Sequence, residues 1–191
     1  MKLHLIYLTI LLIACRNTEP SQPLTLMDSN LIPDSLYNST ILFFLHHEAA
    51  NSKNILSQCN QLTSTHDLFS ITDIDSFLTK EDIEFINLQR TNNKPYMLDS
   101  SLLIDKQPIP FDTIMLFKKD GIEDLWKKYQ KKYGKVGFYS LSKPLFSVDR
   151  KKLIIQLGYH CGALCGEGET SIFVWNGKQW IKVKELEHWV S

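Results

Sequence analysis

The strongest constraint on the fold lies in the last forty residues, where apolar and polar positions alternate with a period of two. Leu153, Ile155, Leu157 and Tyr159 alternate with Lys152, Gln156 and His160, as a half-buried strand requires. Thr170 to Trp175 supplies a second such run and Gln179 to Leu186 a third. Asn176-Gly177 lies between those two and predicts a type I′ hairpin, because the dipeptide accepts two successive positive φ angles. An earlier strand is expected between Phe138 and Ser147, with Pro144 marking an edge or a bulge, and Val148 to Lys151 turning into the next strand.

Upstream the period changes. Leu36, Tyr37, Ile41, Phe44 and Leu45 fit a helix face from Asp34 to about Asn51, with Asp34 as N-cap after Pro33; residues 41–45 also fit a buried strand. Residues 54–72 suggest one short extended piece ending near Ile71. Thr79 caps a helix whose first turn carries Glu81 and Asp82, and whose buried side is Ile83, Phe85, Ile86 and Leu88. Tyr96 to Phe117, with Pro108 and Pro110, reads as loop-rich. A last helix runs from about Gly121 to Tyr133 and stops at Gly134. The expected fold is α+β, with helices in the N-terminal two thirds packed on a C-terminal four-stranded antiparallel meander.

The amino terminus carries an address. Lys2 precedes an apolar run from Leu5 to Ala14, the layout of a secretory signal and about half the length of a membrane span. Leu12-Ile13-Ala14-Cys15 matches the lipobox of bacterial lipoproteins, in which cleavage leaves the cysteine as a lipidated first residue. The expected organisation is a signal peptide at 1–14, a lipidated tether at 15–30 and one domain at 31–191. Two or more acyl chains on Cys15, palmitate among them, would hold the protein stably at the membrane. Position 16 is Arg rather than Asp, which points towards the outer membrane. The 21 basic residues lose Lys2 on cleavage, leaving the mature chain near −1 against 21 acidic ones. No basic patch remains to suggest nucleic acid. Lys127, Lys128, Lys131 and Lys132 surround Trp126, Tyr129 and Tyr133 at helical spacing, as on a solvated helix face.

With Cys15 taken by lipid, the thiols left are Cys59, Cys161 and Cys165. In an oxidising compartment the close pair Cys161 and Cys165 is the expected disulfide, with Cys59 the odd one out. A redox role fits poorly, since reactive pairs have two intervening residues at a helix start and here three intervene in a loop. Zinc would need His160 and His188 as well, yet adjacent His160 and Cys161 point to opposite strand faces. Neither metal nor cofactor is expected. A thiol nucleophile paired with His46, His47, His66 or His160 has no supporting signature. Trp175, Trp180 and Trp189 fit core and rim packing better than a stacking platform for sugar or peptide.

The segment Cys161-Gly162-Ala163-Leu164-Cys165-Gly166-Glu167-Gly168, with Gly177 to Trp180 and the final Trp189-Val190-Ser191, resembles small uncharacterised lipoproteins and envelope proteins of Bacteroidota-type bacteria. Leu78 to Ile83 and Ser142 to Ser147 extend the likeness over roughly residues 70–191. It implies a fold and no mechanism. The functional expectation is therefore a non-enzymatic binding or assembly component, anchored to the membrane by lipid and working with an envelope partner. The alternative is a small thiol-dependent or hydrolytic enzyme.

Overall fold

The computed structural model describes residues 32–49, 52–62, 74–91 and 94–191. The signal, Cys15, the tether, His66 and Ile71 lie outside them. Within them run α1 (Asp34–His47), β1 (Asn54–Leu56), β2 (Gln58–Cys59), α2 (Lys80–Thr91), β3 (Tyr96–Met97), β4 (Gln107–Ile109), α3 (Phe111–Lys118), α4 (Ile122–Tyr133), β5 (Phe138–Leu141), β6 (Leu145–Phe146), β7 (Lys152–Gly162), β8 (Cys165–Trp175) and β9 (Trp180–Val190). No described helix is long and apolar enough to cross a membrane.

The expected four-stranded antiparallel meander is wrong. The sheet is mixed and has seven strands in the order β4-β1-β5-β7-β8-β9, with β6 pairing on β7. β1 is parallel to both β4 and β5, pairing Ile55 with Pro108 and with Tyr139. Three-residue strands are too short to show a period, and β1 is buried at every position, so it reads as an apolar patch rather than an alternation. The strand expected at 138–147 is two strands, both antiparallel to β7, with Pro144 in the break between them.

The ambiguous segment 41–45 is helical. Tyr37, Thr40, Ile41, Phe44 and Leu45 make the buried stripe of α1, and Pro33 rather than Asp34 occupies the N-cap. This stripe covers one sheet face, packing on Leu153, Ile155, Leu157, Phe173 and Trp180. The loop-rich reading of 96–117 missed α3, whose N-cap is Pro110. Proline suits the entrance to a helix because the first N–H groups have no intrahelical partner.

α2 begins as expected, and more firmly. Thr79 Oγ1 accepts from the Asp82 N–H at 3.1 Å, while Asp82 Oδ2 accepts from the Thr79 N–H at 3.2 Å, a reciprocal cap. Asp82 also accepts from the Val148 N–H at 3.0 Å and from Lys152 Nζ at 3.1 Å, tying the helix start to the β6–β7 turn. Burial alone would raise this carboxyl, but the bonds from Thr79, Lys152 and Val148 outweigh it and hold it below the usual carboxylate range.

α4 starts after Gly121 and stops at Gly134, both at positive φ. Its Leu125, Trp126 and Tyr129 join Leu56, Ile109, Ile114 and Phe138 in a second core on the other sheet face. The Tyr129 hydroxyl donates to the Val136 carbonyl at 3.1 Å and accepts from Asn54 Nδ2 at 2.8 Å, which locks α4 to β1. A third core lies between α2 and the sheet, on Leu78, Ile86, Leu145, Ile154 and Ile172. The sheet thus has α1 on one face and two separate helical covers, α2 and the α3–α4 pair, on the other.

Asn176-Gly177 does sit at a hairpin tip between β8 and β9. The turn is not type I′. Trp175 pairs with Trp180, so Asn176 to Gln179 form a four-residue loop, and of these only Gly177 has positive φ (95°). Asn176 Oδ1 closes it, accepting from the backbone N–H of Lys178 and of Gln179 at 2.9 Å each.

Candidate functional site

Beneath the α3–α4 cover the described residues enclose a cavity of about 880 Å³ over this sheet face. Its floor is built by strand register. One row runs Phe138, His160, Gly166; the next runs Ser140, Gly158, Gly168, Trp189; a third brings Gln156, Thr170 and Glu187 together. Ser142 joins the third row, accepting at Oγ from the Gln156 N–H at 2.9 Å. Gln156 and His160, two of the polar positions that alternate along β7, are therefore part of the floor of a cavity. Phe111, Ile114, Met115, Ile122, Leu125 and Trp126 of α3 and α4 form an apolar roof.

At the floor's centre Ser140 Oγ lies 2.9 Å from His160 Nε2. The imidazole is stacked on Phe138 (centroids 5.0 Å apart) and stands 5.5 Å from the Trp189 ring. Burial among these groups lowers its pKa below the ordinary histidine value, so the ring is neutral near pH 7. Ser140, Phe138 and Trp189 around it are uncharged. A neutral imidazole and a hydroxyl together offer both donor and acceptor capacity to a ligand.

The glycines of this corner permit a close approach: a Cβ at Gly168 would stand 2.5 Å from Cε2 and Cζ2 of the Trp189 indole. At Gly158 and Gly166 it would approach that ring to 3.2 and 3.3 Å. These mid-strand glycines make a bed for Trp189, which links the Cys-Gly-rich segment to the terminal Trp-Val-Ser. Glycine inside an alternating strand is the sign of such a close approach.

Cys161 and Cys165 face each other across the β7–β8 tip at disulfide distance, with Cα atoms 5.1 Å apart. That tip lies at the cavity edge, where Gly162 and Ala163 are part of the lining. The expected mature protein has one Cys161–Cys165 bridge, closing a short loop that adds about 2 kcal/mol in the chain-entropy model. Non-reducing peptide mapping checks this: a linked Cys161–Cys165 fragment is expected, with Cys59 alkylated only after unfolding. Linkage of Cys59 to either cysteine, or free alkylation of both in the native protein, would overturn the assignment.

Cys59 lies elsewhere, fully buried on β2 opposite Tyr96. Its thiol is pushed up to about 12 by burial, against a weaker downward pull from Lys143. A thiol so protonated is a poor nucleophile, and Cys59 does not line the large cavity. His46 and His47 are on α1, across the sheet from the cavity, whereas His160 and His188 both line it. No cluster of three or more metal-ligating side chains occurs among the described residues. No protein-family model, curated protein or solved structure matches this chain.

Proposed function

We propose that the protein is a bacterial cell-envelope lipoprotein, anchored through Cys15, whose folded body is a non-enzymatic binding component. The observation that carries the binding reading is the cavity, with its polar floor on β5, β7 and β9 and its apolar roof on α3 and α4. Its size falls in the range typical of small-molecule sites, and its few convergent polar groups on a largely apolar wall suit ligand orientation. The anchor rests on the sequence Leu12-Ile13-Ala14-Cys15.

The Ser140–His160 contact favours hydrolysis as a second reading, since a serine beside an imidazole is half of a nucleophilic arrangement. The described contacts of His160 include no carboxylate to orient it, however. Ser140 also sits within a paired strand whose backbone groups serve the ladder rather than an oxyanion. Binding remains the better account.

Native mass spectrometry of the lipoprotein released from envelopes tests it. The wild-type protein should carry a bound small molecule, and Met115→Trp at the half-exposed cavity mouth should lose it while keeping its fold. An empty wild-type protein, or equal loading of both, would count against the cavity as the working site. The anchor has its own test in metabolic labelling with an alkyne fatty acid. Cys15→Ser should abolish labelling and leave an unprocessed precursor; undiminished labelling would refute the assignment.

A further inference from the structure

We propose that the cavity's ligand is a neutral pyranoside, one or two sugar rings long, stacked on Trp189 and hydrogen-bonded by Ser140 and His160. The proposal rests on the binding reading above and adds the chemical class. Trp189 borders the cavity while its indole lies against the backbone at Gly168, where a Cβ would come within 2.5 Å. The indole is thereby held from beneath on a rigid strand. An indole face carries negative quadrupolar charge, which attracts the weakly positive C–H groups along one face of a pyranose.

The polar partners match the other side of such a ring. Gly158 leaves Ser140 and His160 unobstructed, for a Cβ there would stand 3.0 Å from Oγ and 3.2 Å from Nε2. A sugar hydroxyl both donates and accepts, so it satisfies the pair in either imidazole tautomer. A wholly aliphatic ligand would cover these groups and return no hydrogen bond, which is costly once water is excluded.

Charge argues for neutrality. Ser140, Gln156 and His160 form an uncharged floor, and the lining residues of opposite sign, Lys118 and Glu187, lie on different elements, α3 and β9. A phosphate or carboxylate would require convergent cations, which the described lining residues do not supply.

The experiment uses the full lipoprotein in nanodiscs. Chitobiose, cellobiose and maltose are titrated by calorimetry and tryptophan fluorescence, with palmitate as the apolar comparison. Saturable binding of at least one disaccharide is expected, and Ser140→Ala, which removes one hydrogen-bonding group, should weaken it about tenfold at unchanged thermal stability. Trp189→Leu should abolish the fluorescence change; should that variant fold poorly, Ser140→Ala alone decides. Palmitate binding without any disaccharide binding would overturn the sugar assignment and leave the cavity reading standing. Failure of both ligands would defeat the two together. Disaccharide binding indifferent to Ser140→Ala would place the sugar elsewhere and also overturn the proposal.

Discussion

Gln89→Leu is expected to lower the unfolding free energy by about 3 kcal/mol, the sum of two buried backbone groups left without partners. Gln89 lies on α2, is buried, and acts as a substitute strand for the short β6. Its Nε2 donates to the Phe146 carbonyl at 2.7 Å and to the Phe85 carbonyl at 3.2 Å; its Oε1 accepts from the Phe146 N–H at 2.9 Å. Phe146 is itself fully buried, so water cannot replace the amide. Leucine keeps the volume and removes all three bonds, two of them to the Phe146 backbone, which isolates the polar contribution from any cavity. Urea unfolding with an unchanged m-value gives the number, and a loss under 0.5 kcal/mol would show that the pairing is dispensable.

Gly137→Ala should be nearly as damaging, for a steric reason. A Cβ at Gly137 would stand 2.2 Å from the His160 carbonyl oxygen and 2.9 Å from the Tyr159 ring. The first obstacle is backbone on β7, which cannot rotate away as a side chain can. β5 and β7 must then separate where Phe138 pairs with His160. Overpacking of this kind typically costs about 1–3 kcal/mol, and the rigid partner argues for the upper end. For a chain of this size, that corresponds to a fall in Tm of roughly 6–12 °C. Scanning calorimetry measures it, and a shift below 2 °C would refute the clash. Because His160 is the displaced partner, the variant should also disturb the Ser140–His160 contact.

What could be read from the sequence divides along a physical line. β7, β8 and β9 were legible because eleven-residue strands leave a visible period and Asn176-Gly177 marks the reversal between two of them. α2 and α4 were legible because their ends are written locally, by Thr79 with Asp82 and by Gly121 with Gly134. β1 and β4 were not. Each has three residues, one contains Pro108, and their parallel partners are distant in sequence. No local pattern announces such a pairing, and it alone turns the expected meander into a mixed sheet.

The site was partly legible. The closeness of Cys161 to Cys165 and the burial of Cys59 follow from spacing and residue type. The cavity does not, because its floor exists only once four strands are in register. Gly158 and Gly168, two glycines inside alternating runs, were the available sign, and Trp189 was the group they made room for. The polar residues of β7 show a related limit: alternation tells which side chains share a face, and not whether that face meets solvent or an internal cleft.

The parallel position of β1 has a consequence for the order of folding. β7, β8 and β9 pair with their immediate sequence neighbours, so their loops close at small entropic cost and form early. β1 must instead bring Ile55 beside Tyr139 and seat itself between β4 and β5, which demands closure of a long intervening chain. An antiparallel C-terminal platform would thus assemble first, with the β1 edge of β5 exposed. Insertion of β1 would then be the slow step that completes the sheet. Until it occurs the apolar groups of β5 and α4 lack their partner Leu56, and this interval is when the chain is most prone to associate with others.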